Sequence, residues 1–69
     1  MNKHLVSVFT ASIDNRIVCF ETNLKAFHAK FEAQVAPIGN YQSLYRKFNK
    51  SDHFNLEAGG KVYWFQKLS

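Results

Sequence analysis

The stretch that most limits how this chain can fold is KVYWFQKL, residues 61–68. It follows Gly59 and Gly60, which separate it from a second run, FNLEA, at residues 54–58. Two glycines between such runs signal a tight hairpin, because a type I′ turn needs positive φ at both central positions and glycine adopts it without steric cost. Along residues 61–68, Val62 and Trp64 point to one side and Tyr63 and Phe65 to the other. Both faces are apolar, so this strand belongs in the middle of a sheet or is covered on two sides.

A second strand pair is predicted at the other end of the chain. HLVSVFTAS, residues 4–12, is rich in β-branched and apolar residues, with Leu5, Ser7, Phe9 and Ala11 on one face and Val6, Val8 and Thr10 on the other. IDNR, residues 13–16, is turn chemistry, since Asp and Asn tolerate left-handed conformations and bond their own backbone. RIVCFET, residues 16–22, reads as the returning strand.

Two helices are predicted between the hairpins. Thr22 or Asn23 is placed to cap the first, in which Leu24, Phe27, His28, Phe31 and Val35 make one stripe of helical period. Pro37 disfavours helical geometry at Ala36, so this helix stops near Val35. After APIGN, residues 36–40, Asn40 is the expected cap of YQSLYRKFNKS. Tyr41, Leu44, Tyr45 and Phe48 form its apolar side; Ser43, Arg46, Lys47 and Lys50 form the opposite side.

The order is therefore β-β-α-α-β-β. The predicted fold is a small two-layer α+β domain: one antiparallel sheet built from both hairpins, with the two helices on one face. The competing layout sets the C-terminal hairpin as a wing beside the helix pair. At 69 residues there is room for one domain, residues 1–69. Seven Phe, three Tyr and one Trp supply most of the bulk for a small core.

Catalysis and cofactors find little support. Cys19 is the one cysteine, which excludes an internal disulfide, and it sits in a strand pattern where a thiol behaves as a small hydrophobe. His4, His28 and His53 are not at ligand spacing, and the five carboxylates are scattered among different elements. His28 on an apolar stripe reads as a packed residue with one bonded nitrogen, and His53 as a solvated loop residue. A non-enzyme without metal or cofactor is expected. The N-terminal apolar run is too short for a signal peptide or a membrane span, which points to a soluble cytoplasmic protein.

Charge supplies the positive lead. The net charge is +4, and residues 40–69 carry Arg46, Lys47, Lys50, Lys61 and Lys67 against Asp52 and Glu57, an excess of +3. Lys and Arg neutralise phosphates and release counterions, and Ser and Arg also bond base edges. Ser43, Arg46, Lys47 and Lys50, with Lys61 at the hairpin tip, are thus the expected nucleic-acid contacts. In pattern, residues 23–65 resemble a winged helix-turn-helix, two helices followed by a β-wing, which implies DNA binding through the second helix. Such domains usually begin with a further helix, whereas a β-hairpin is predicted here, which favours the plain sandwich.

The same residues also suit a surface with no ligand. A solvated helix face carries Lys and Arg for solubility alone, and cations in a last turn favour the negative end of the helix dipole. An acidic protein partner would suit the same charges. Tyr63 and Trp64 lie on opposite faces of one strand, so a sheet covered on one side leaves one of them exposed as an aromatic contact for protein or nucleic acid. That feature supports the alternative of a protein-interaction or inhibitor domain of a phage or mobile element.

Overall fold

Two hairpins frame the chain, each closed by a two-residue turn at positive φ. In the computed structural model, which describes residues 7–68, the elements are β1 (Val8–Ile13), β2 (Arg16–Glu21), α1 (Leu24–Gln34), α2 (Tyr41–Lys50), β3 (His53–Ala58) and β4 (Lys61–Leu68). The β1–β2 turn has φ 54° at Asp14 and 63° at Asn15; the β3–β4 turn has 59° at Gly59 and 82° at Gly60. Positive φ at both central residues gives a turn whose twist matches the flanking strands. At Gly59 a side chain is disfavoured twice over: φ is left-handed, and a Cβ would stand 3.0 Å from Ala36 Cβ, a tight approach.

The four strands form one antiparallel sheet in the order β2-β1-β4-β3. The chain's first and last strands are its central pair, joined through Ala11 opposite Phe65 and Ser12 opposite Trp64. This gives β4 the central position that its two apolar faces demand. It also overturns the wing layout, because the C-terminal hairpin is bonded to β1 along its length and is part of the main sheet. The expected start of the first strand, at His4, Leu5 and Val6, lies outside the described residues.

Register decides which residues face the helices. Phe9 and Ala11 on β1, Cys19 on β2, Tyr63 and Phe65 on β4 and Ala58 on β3 are buried together with Phe27 and Phe31 of α1 and Leu44 and Phe48 of α2. Between Ala11 and Ser12 the β1–β2 register shifts, so that Ala11 faces Cys19 while Ser12 faces Ile17. Val18 is the extra residue of this bulge and packs at the core's margin. Thr10 points the other way yet is 6% exposed; its Oγ1 donates to the Gln66 carbonyl at 3.4 Å.

Rings make up the centre. Phe65 meets Phe31 at 5.2 Å, Phe54 at 5.5 Å and Phe27 edge-on at 5.8 Å between centroids. Phe48 brings α2 into the same cluster through Phe9 at 5.2 Å and Phe54 at 4.8 Å. Offset and edge-to-face pairs of this kind add to what burial alone provides.

The helices end where their caps dictate. Asn23 Oδ1 accepts from the Ala26 N–H at 3.0 Å and Asn40 Oδ1 from the Ser43 N–H at 2.8 Å, each satisfying a first-turn donor. The connection between the helices is tied to α1 by two side chains: His28 Nε2 donates to the Gly39 carbonyl at 2.7 Å, and Glu32 Oε2 accepts from the Ile38 N–H at 3.0 Å. His28 is thus a half-buried packing residue with one bonded ring nitrogen. His53 is exposed as expected, but it begins β3 instead of lying in a loop.

Candidate nucleic-acid interface

Helix α2 rests on the domain along a narrow line. Of its ten residues, Leu44 and Phe48 are buried and Tyr41 is half-buried against His28; the other seven are exposed. Leu44 and Phe48 are four apart, so they fall on one side of the helix and leave most of its circumference in water. The sequence YQSLYRKFNK contains no carboxylate.

The exposed flank carries the cations together. Ser43, Arg46, Lys47, Asn49 and Lys50 line one shallow surface. Lys47 and Lys50 continue it into a second hollow toward Ser51, Phe54 and Asn55 at the start of β3. Among the described residues the ion pairs are Lys30 with Glu21 at 3.4 Å and His28 with Glu32 at 3.5 Å, so Arg46, Lys47 and Lys50 have no carboxylate partner there. Lys47 and Lys50 also stand in the last turn, where the helix dipole favours positive charge.

Two expected contacts, Lys61 and Tyr63, lie away from this surface, and one expected core residue, Tyr45, is exposed. Lys61 lines neither hollow; it pairs with Ala58 beside the β3–β4 turn, which abuts Ala36. Tyr63 is 8% exposed and meets Phe31 edge-on at 5.4 Å, because its parity on β4 turns it toward α1. It is a core residue and offers no surface for stacking. Tyr45, expected on the buried side of α2, is 49% exposed. It lies about 100° around the helix from Leu44, and its ring meets Tyr41 at 6.1 Å.

Trp64 takes the outward face of the sheet and is 38% exposed. Its indole Nε1–H donates to Gln66 Oε1 at 3.4 Å and its ring lies 5.1 Å from that of His53. This face is opposite to the one that carries α2; the two meet at the β3 edge, where Asn55, paired with Trp64, also lines the hollow of Lys47 and Lys50.

Two exposed amides on α2 add to the candidate set. Gln42 precedes Arg46 by four residues and Asn49 follows it by three, which puts all three on neighbouring turns of one side. Their helical spacing is present in the sequence; attention to charge alone passes over them. Gln and Asn bond bidentately to adenine and Arg to guanine, so this side combines base-edge donors with the phosphate-neutralising Lys47 and Lys50.

Groups suited to catalysis or metal binding are sparse. Among the described residues no group of three or more His, Cys, Asp and Glu is arranged to hold a metal ion. Cys19 is buried, and burial raises its thiol pKa, with Lys30 opposing and Glu21 reinforcing the shift more weakly. That favours the neutral thiol over the reactive thiolate. Among the described residues no helix is long and apolar enough to cross a membrane. No protein-family model, curated protein or solved structure matches this chain.

Proposed function

We propose that this protein is a nucleic-acid-binding module that uses the exposed flank of α2. One observation carries the reading: Ser43, Arg46, Lys47, Asn49 and Lys50 share a continuous exposed surface on a helix without a carboxylate. A ten-residue helix is about 15 Å long and stands proud of the domain on its Leu44–Phe48 line. An exposed helix of this kind fits the major groove of duplex DNA, which is about 12 Å wide. Arg46, Gln42 and Asn49 face the base edges in this arrangement, and Lys47 and Lys50 neutralise phosphates.

Titration of a short duplex at several salt concentrations tests the reading. Two cations in phosphate contact, Lys47 and Lys50, give a slope of about −2 in log K against log salt. Binding that does not weaken with salt, or no binding at low salt, contradicts it.

A protein-interaction role draws on a separate observation, the exposure of Trp64 and its apolar neighbours on the far side of the sheet. It predicts a complex that tolerates moderate salt and depends on Trp64.

A further inference from the structure

The outward face of the sheet is the largest feature that the helix surface leaves unexplained. Ile17, Phe20, Val62, Trp64 and Leu68 are 38–59% exposed. Strand parity puts all five on this face: Ile17 stands opposite Ser12, Phe20 opposite Thr10, and Trp64 opposite Ser12 on its other side and Asn55. Among the described residues, no element covers them. With roughly half of each side chain accessible, they expose on the order of 400–500 Å² of apolar surface, toward the upper end of what a monomer usually leaves in water.

We propose that a second copy of this chain docks on this face, sheet against sheet. Charge decides between occupants. The protein has a net charge of +4, yet among the described residues the ionisable groups that strand parity assigns to this face are Glu57 and His53. Cations stand at its two edges: Lys30 Nζ lies 5.2 Å from the Phe20 ring centroid and is already paired with Glu21, and Lys47 and Lys50 share a hollow with Asn55. A nucleic-acid strand stacking on Trp64 or Phe20 would find no cation across the middle of the face to follow its backbone. An acidic protein would likewise find no cation in the middle of the face. A two-fold contact between identical faces needs none of this complementarity, because the same apolar patch serves both partners.

Size and shape agree. Four strands spaced about 4.8 Å apart and six residues or more in length present a face of roughly 20 by 20 Å. Its accessible area, with side-chain relief and the polar residues Thr10, Ser12, Asn55 and Gln66, approaches the roughly 600 Å² per partner at which stable interfaces begin. Stacked sheets pack about 10 Å apart, the geometry of a sandwich. The α2 surfaces remain free, one on each side of the pair, so the proposal is independent of the nucleic-acid reading.

Sedimentation equilibrium of the full chain, from low-micromolar to near-millimolar concentration, tests this. The expected mass rises from 8.0 kDa toward twice that value. Emission from the single tryptophan shifts to the blue over the same range, because Trp64 enters the contact. Ile17→Glu and Trp64→Glu each place a carboxylate in the interface and are expected to weaken association at least about tenfold, with the far-UV circular dichroism unchanged. Tyr45→Glu, on the other side of the molecule, leaves association as it was. A mass of 8.0 kDa at every concentration overturns the proposal. So does a dimer that both sheet-face variants leave intact.

Discussion

Reversing two charges on α2, with Arg46→Glu and Lys47→Glu in one chain, is expected to reduce duplex affinity about 100-fold or more at moderate salt. Both residues are exposed and line the same surface, so the change removes one base-facing and one phosphate-facing cation and replaces both with repelling carboxylates. The salt slope should flatten by about one. Folding should be unaffected, because the helix is held by Leu44 and Phe48 and neither altered side chain has an ion-pair partner among the described residues. Electrophoretic mobility shift or fluorescence anisotropy reads the affinity, and a thermal melt reads the fold. Affinity within threefold of the unaltered chain would place the contact elsewhere.

The largest effect on stability is expected from Phe65→Ala. Phe65 is fully buried on a central strand and its ring meets Phe27, Phe31 and Phe54. Truncating a buried Phe typically costs about 3–5 kcal/mol, as lost transfer energy plus the cavity left behind. A domain of this length is stable by only about 3–10 kcal/mol, so the variant is expected to be largely unfolded or close to it at 25 °C. Trp64→Ala alters the next residue but should cost well under half as much, since that ring is partly in water. Urea titration of the two variants checks the contrast. A loss below 1 kcal/mol for Phe65→Ala would mean that the ring cluster does not hold the layers together.

Local chemistry makes much of the architecture readable from the sequence. The Asn caps, the Asp14-Asn15 and Gly59-Gly60 turns and the Phe27–Phe31 stripe each depend on neighbours within a few residues, and each appears where spacing places it. The two apolar faces of β4 point to a central strand, and β4 lies between β1 and β3. Strand order is not legible, because nothing local to β1 or β4 specifies that they pair. The same limit applies to the aromatics. Parity shows that Tyr63 and Trp64 face opposite ways, but only the helix layer decides which is buried. Tyr45 shows the converse limit, since helical spacing groups it with Leu44 and Phe48, while the contact with the domain is too narrow to cover it. The cationic flank is legible as a grouping along one helix. Lys61 cannot be placed relative to it, because it belongs to a hairpin whose position depends on the whole sheet.

The nucleic-acid interface on α2 is best checked by mapping backbone amide shifts as a short DNA duplex is added to isotope-labelled protein. The expected footprint lies on α2, strongest at Ser43, Arg46, Lys47, Asn49 and Lys50, with the strands' outward residues and Lys61 little changed. A footprint centred on Trp64 and Phe20, or none at low salt, would rule that interface out.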